Sequence, residues 1–239
     1  MYGERYFSHT TPGQPGYDQY LEELQNIRRT FDDRLRYLPT PRNQPRLIDV
    51  GAAVGTFVER ARLAGWDAEG LEPSEWAARY ARESLGQPVR TVMLEDAGIE
   101  PGSVDAVTLW EVIEHLPDPS STLRTIRRIL RPDGVLALST PDAGSLVARV
   151  LARRWPGWHK IPEHLFYFDR RTLRRMLADA GFQVTQSRYV PLVVSRGYLL
   201  DRVGQVLGFA PHRILPAAWL RQPVKVNPWY DLMIVARPV

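Results

Sequence analysis

Cysteine is absent from the 239-residue chain, which excludes disulfides and thiolate metal sites and fits a reducing compartment. Lysine is almost as scarce. Lys160 and Lys225 are the only two, so the other 29 of 31 basic residues are arginine. The arginines are scattered, and the commonest run is a pair such as Arg28-Arg29, Arg127-Arg128 or Arg170-Arg171. A net charge of +4 and a pI near 9.5 therefore describe a solvated arginine-rich surface. Nucleic acid would need a basic stripe with stacking aromatics, so no nucleic-acid partner is expected. No stretch approaches the roughly 18 apolar residues of a membrane span. The opening Met1-Tyr2-Gly3-Glu4-Arg5 lacks the apolar core of a secretion signal, and a cytoplasmic protein is expected.

What is present is ordinary for a soluble globular protein: 44% hydrophobic and 24% charged residues, in a length suited to one large α/β domain. Residues 1–16, rich in Gly, Pro and aromatics, read as an irregular arm. From Tyr17 to about Leu38, the positions Leu21, Leu24, Ile27, Phe31 and Leu35 recur at helical spacing. A proline-rich linker from Pro39 to Pro45 follows. Strands are then predicted at Arg46–Val50, Asp67–Leu71, Val89–Met93, Ala106–Trp110 and Val135–Ser139, with helices near 54–64, 74–84 and 119–131 between them. A helix at 171–180, a strand at 182–190, an insertion at 191–229 and a last strand near Asp231–Ala236 complete the chain. Apolar strands joined by amphipathic helices imply a doubly wound, mostly parallel sheet covered on both faces. The expected division is a single domain, 1–239, with an arm and helix at 1–45, a core at 46–190, a cap-like insertion at 191–229 and the last strand at 230–239.

The sharpest local signal is Leu47-Ile48-Asp49-Val50-Gly51-Ala52-Ala53-Val54-Gly55-Thr56-Phe57. An apolar strand runs into a turn with glycines four apart, and a helix begins there. Gly51 permits a tight reversal and Gly55 permits close approach of a ligand to backbone. Asp49 can accept hydrogen bonds from the turn or from an ammonium group. Glu72, 21 residues after Gly51, closes the second strand, where a carboxylate can accept both hydroxyls of a ribose.

Further along come Asp105-Ala106-Val107-Thr108-Leu109-Trp110-Glu111-Val112-Ile113-Glu114-His115-Leu116-Pro117-Asp118-Pro119, then Leu130-Arg131-Pro132-Asp133-Gly134-Val135-Leu136, then Pro162-Glu163-His164-Leu165-Phe166-Tyr167-Phe168. With the glycine turn, these resemble the class I S-adenosylmethionine (SAM)-dependent methyltransferases, and a bacterial subgroup near the ubiquinone-pathway O-methyltransferases in particular. The resemblance implies a seven-stranded Rossmann-like methyltransferase sheet, SAM as cofactor, and a small-molecule acceptor methylated on a hydroxyl oxygen. It implies that Asp49, Gly51, Ala52 and Gly55 hold the methionine end, that Glu72 holds the ribose, and that Met93 and Leu94 flank the adenine. Trp110 and Glu111 would lie beside the sulfonium, although Trp110 serves equally as core packing. Ala53 stands where many relatives carry a third glycine, and Met93 where many carry Asp.

Two other readings compete. A nicotinamide dehydrogenase fingerprint from Gly51 requires glycine at 53 and 56, where this chain has Ala53 and Thr56. A non-catalytic module could keep the fold and the cofactor. Methyl transfer to oxygen wants alignment, water exclusion and a general base, for which histidine is the best-matched residue. His164 and His115 are the catalytic candidates, His115 also serving to orient its loop, with His159 ranked behind them. No group has metal-ligand spacing along the chain, so no metal is expected. The insertion carries Leu199, Leu200, Val203, Val206 and Leu207, with Arg202, Arg213 and Arg221 between its apolar runs. It fits a cap or dimer contact better than a membrane-surface helix.

Overall fold

The structure is a computed structural model describing residues 21–40, 45–155, 157–158, 164–207 and 215–239. Its helices are α1 (Leu24–Leu35), α2 (Thr56–Leu63), α3 (Glu75–Leu85), α4 (Pro119–Ile129), α5 (Leu146–Leu151), α6 (Arg170–Asp179), α7 (Arg196–Leu207) and α8 (Ala217–Leu220). The strands are β1 (Arg46–Val50), β2 (Asp67–Leu71), β3 (Val89–Arg90), β4 (Val104–Trp110), β5 (Leu130–Pro141), β6 (Phe182–Tyr189), β7 (Leu192–Ser195), β8 (Pro223–Val226) and β9 (Asp231–Pro238).

Seven strands form one sheet in the order β3-β2-β1-β4-β5-β9-β6. β1 to β5 pair in parallel, while β9 inserts antiparallel between β5 and β6. The order reverses at β1/β4, which opens a crevice beyond the carboxyl ends of those strands. Alternation along the strands sends side chains into two apolar layers. Ile48, Val107, Leu109 and Ile234 pack beneath α4 and α6, against Leu123, Ile126, Leu173 and Leu177. Leu47, Ala106, Trp110 and Val235 pack on the other face with Phe57 and Ala61 of α2 and Phe31 of α1. Side-chain caps from Ser74, Asp118, Ser145 and Asp169 open helices α3, α4, α5 and α6 and fix where each begins.

Two elements depart from expectation. β3 is only two residues long, because the chain turns into a short 3-10 segment at Leu94–Asp96. Inside the insertion, β7 and β8 pair antiparallel as a separate two-stranded sheet with α7 and α8 between them. The Thr30 hydroxyl of α1 accepts from Val193 N–H at 2.8 Å, and Glu23 accepts from Ser195 N–H at 3.0 Å. α1 and the insertion therefore lock together over one end of the sheet. The fully buried stripe of α1 is polar, Asn26, Thr30 and Arg34, while its apolar positions are half-buried. No helix among the described residues is long and apolar enough to cross a membrane.

Candidate active site

The crevice at the β1/β4 switch holds a cavity of about 170 Å³. It is lined by Val50, Gly51, Leu71 and Glu72 from the first two strand ends, by Met93, Leu94 and Glu95, and by Glu111, Val112, His115, Leu116 and Pro117 beyond β4. Gly51 turns there at φ 72°, and a Cβ at that position would lie 2.5 Å from Val112 Cγ2. Only glycine permits both the left-handed backbone and this contact. Its N–H and that of Ala52 both donate to Leu71 O, clipping the turn to β2.

Glu72 is buried, and each of its oxygens is oriented by one backbone donor. Ala53 N–H reaches Oε2 and Ser74 N–H reaches Oε1, both at 2.9 Å. Each oxygen keeps further lone-pair capacity toward the cavity. Burial raises the Glu72 pKa above the ordinary carboxylate value against those two bonds. Ala53 itself sits at φ 49°, the conformation a glycine would adopt without strain. Asp49 lies behind the turn, where it accepts from the Thr108 hydroxyl at 2.6 Å. Burial pushes its carboxyl up to about 7 despite that bond, and the Glu72 charge adds to the rise.

Of the residues expected to hold a cofactor, Gly51, Glu72, Met93, Leu94 and Glu111 line the cavity. Four others lie outside its lining. Asp49 is beneath the turn, and the Ala52 methyl is aimed at Gly70. Gly55 opens α2 at φ 77° against Gln87 and Val89. Trp110 follows the strand alternation to the opposite face, where its ring meets Phe57 at 5.1 Å between centroids and the Arg34 guanidinium at 5.0 Å. Core packing is thus what its environment shows.

The two candidate histidines are brought together across 49 residues of chain. His115 and His164 meet edge to face at 4.7 Å between ring centroids. Leu165 and Phe166 N–H both donate to Glu114 O, which ties the 164–168 segment onto the 113–115 turn. His115 borders the cavity; His164, 6% exposed, stands behind it. The same tie gathers side chains whose separation along the chain hides their proximity. One ligand atom each from Glu114, His115 and His164 lie within 4.8 Å of one another. His159 falls outside the described residues.

A second polar group was missed in the sequence. Arg34 of α1 donates to Ser139 Oγ at 3.0 Å and to Asp231 Oδ2 at 2.8 Å, with both partners of the ion pair buried. Ser139 Oγ donates in turn to Glu111 Oε1 at 2.6 Å. Glu111 holds a left-handed backbone, φ 55°, where β4 ends. Burial and the Glu111 charge push Asp231 well above its ordinary value, with Arg34 opposing. The i, i+4, i+8 row of Asn26, Thr30 and Arg34 was the available clue to this buried stripe.

A family model for the methyltransferase domain matches residues 20–187. The chain belongs to the SAM-dependent methyltransferase family. It is 29% identical over 178 residues to a ubiquinone biosynthesis O-methyltransferase of Thiobacillus denitrificans, covering 66% of this chain and 75% of that one. Its likeness to the same-named protein of Methylococcus capsulatus is 37% over 113 residues, 45% of this chain and 47% of the relative. Beyond the first of these relatives, the chain spans about half the length of those it matches. A SAM-dependent methyltransferase from Archaeoglobus fulgidus shares the fold with a TM-score of 0.63 at 19% identity, covering 92% and 99% of the two chains. Geranyl diphosphate C-methyltransferase from Streptomyces coelicolor A3(2) gives a TM-score of 0.63 at 17% identity, over 99% of this chain and 88% of that one.

The cavity suits the methyltransferase cofactor on its own chemistry. Glu72, Glu95 and Glu111 line it, while none of its lining residues among those described is lysine or arginine. That balance favours a ligand with a sulfonium, an ammonium and a diol, and disfavours the pyrophosphate of a dinucleotide.

Proposed function

We propose that this methyltransferase passes the methyl group of SAM to a hydroxyl on a small aromatic or sugar-like acceptor. The acidic cavity at the glycine turn carries this reading, and the names of the curated relatives favour oxygen, with a ring hydroxyl first. SAM supplies a methyl already activated on a positively charged sulfur. The chain's own residues must hold it, align the acceptor and keep water out. Glu72 receives the ribose hydroxyls, with its oxygens fixed by Ala53 and Ser74. Met93 and Leu94 sandwich the adenine. Gly51, Ala52 and Gly55 shape the turn under the methionine end, whose ammonium is answered by Asp49 through the turn. Glu111 meets the sulfonium end, and Trp110 supports it from the core side. His115 forms the wall beside the transfer, with His164 as its buttress. No metal enters this reading.

We treat residues 1–239 as one functional unit, with the 191–229 segment as a cap closing the acceptor side. The bonds from α1 to β7 favour a cap over a dimer contact or a membrane-surface helix. The acceptor is then a small molecule rather than nucleic acid, and a cytoplasmic site of action fits it. The test is calorimetry with S-adenosylhomocysteine on wild type and Glu72→Ala, followed by SAM turnover with a panel of ring hydroxyls. Micromolar binding that weakens at least tenfold in E72A, with transfer to at least one ring hydroxyl, is the expected result. Equal binding by the two proteins, or binding without transfer to any oxygen acceptor, would refute it; the second outcome favours the non-catalytic module.

A further inference from the structure

Glu111 is strained, wired and in contact with the cavity at once. Its left-handed backbone, φ 55°, is one that non-glycine residues rarely adopt. Its N–H continues the sheet by donating to Ser139 O at 3.1 Å. Its side chain is then held by the Ser139 hydroxyl, which is itself held by Arg34. The same guanidinium binds Asp231 Oδ2, leaving Asp231 Oδ1 buried without a hydrogen-bond partner. The Glu111 carboxyl lies close enough for its charge to raise the Asp231 pKa, and a hydrogen bond between two carboxyls needs a proton on one of them.

We propose that the Glu111–Asp231 carboxyl pair, aligned by Arg34 and Ser139, takes the proton from the acceptor hydroxyl during methyl transfer. The proposal rests on the transfer reading above and deepens it by naming the base. One guanidinium meets Asp231 directly and Glu111 through Ser139, and burial together with the Glu111 charge raises Asp231 well above its ordinary value, so the pair favours a proton on Asp231 and leaves its one negative charge to accept another. The other charged or titratable groups around it do not displace that balance. Tyr230 beside Asp231 is pushed up to about 12 by burial and stays neutral. Tyr198 and Arg202 approach from α7, where they engage each other at 3.1 Å. Glu72 and His115 face Glu111 around the cavity. In the step itself, the acceptor oxygen gives its proton to the pair and forms its bond to the methyl carbon. The carbon–sulfur bond breaks with its electron pair retained by sulfur. Arg34 is a positioning residue, acting through Ser139 and Asp231. His164 is buried behind His115 and is not part of the cavity lining.

Acceptor acidity separates a base from a structural role. With SAM and either catechol or 4-nitrocatechol, Glu111→Gln should lose about 100-fold or more with catechol. The loss should shrink to a few fold with the nitro compound, which is ionised before it binds. Single-turnover rates at saturating SAM remove any change in cofactor affinity, and an unchanged cooperative thermal transition shows that the variant is folded. Asp231→Asn keeps one carboxylate and one donor, so it should retain transfer within about tenfold. An acceptor-free readout stands beside these. The wild-type minus D231N infrared difference spectrum at neutral pH should contain a protonated-carboxyl band. Equal losses with both acceptors, absence of that band, or the acidity-dependent loss appearing in His115→Gln instead would overturn the proposal. Failure of wild type to bind S-adenosylhomocysteine would strike the transfer reading, whereas binding without the band strikes only the pair.

Discussion

Asp49 offers the most quantitative handle on the cofactor end. Its carboxyl is buried beneath the glycine turn, and burial lifts it from 3.8 to about 7. A raised acid pKa stabilises the fold fully below the unfolded value, and that contribution is lost as pH rises through the folded value. Three pH units at about 1.4 kcal/mol each set a ceiling of about 4 kcal/mol lost between roughly pH 4 and 7. Asp49→Asn keeps an oxygen for the Thr108 hydroxyl and removes the titration. Urea unfolding of both proteins across this range should show the variant gaining on wild type as pH rises, by 1 kcal/mol or more at pH 8. An ammonium group arriving near Asp49 pulls its pKa back down, so binding should release a proton. The affinity of wild type for S-adenosylhomocysteine should then climb toward tenfold per pH unit below pH 7, with a heat that depends on the buffer. D49N should show neither effect. A stability difference that is flat with pH would refute the buried, raised carboxyl; a flat affinity profile with buffer-independent heat would refute its pairing with the ammonium.

Two further substitutions test the turn. Ala53→Gly relieves a left-handed alanine, worth roughly 1 kcal/mol less the extra unfolded-state freedom of glycine. Its Tm should rise by a degree or more with cofactor affinity kept, and a fall in Tm would show that φ 49° is not strained. Gly51→Ala drives a methyl to 2.5 Å from Val112 and should cost tenfold or more in S-adenosylhomocysteine affinity. Adding Val112→Ala should recover part of that loss, and no recovery would place the damage in the backbone alone.

Much of the cofactor half was legible in the sequence because it is local. Strand, turn and helix from Leu47 to Phe57 are contiguous, and Glu72 follows one helix later, so spacing alone predicts their meeting. The bounds of β1 and β2 emerged as expected. The polar network beyond Glu111 is built from distant pieces. Arg34 and Asp231 are separated by 197 residues, and an arginine on an amphipathic helix reads as solvated until its partner is known. The β7–β8 hairpin escaped because Pro223 opens one of its strands and its residues are mostly half-exposed, which blurs the alternation that marks a strand. Trp110 was legible in principle. Leu109 faces α4 and α6, so the next residue must face α1 and α2. The meeting of His115 with His164 was not, since it depends on two N–H groups from 165 and 166 sharing one carbonyl.

The central claim is that the cavity between Gly51, Glu72 and Glu111 receives an adenosyl amino acid. A crystal grown with S-adenosylhomocysteine measures this most directly. Density should run from Leu94 past Glu72 to Glu111, with the ribose hydroxyls on the Glu72 carboxylate and the sulfur nearest Glu111. Ligand density elsewhere, or a ribose that leaves Glu72 untouched, would contradict the account.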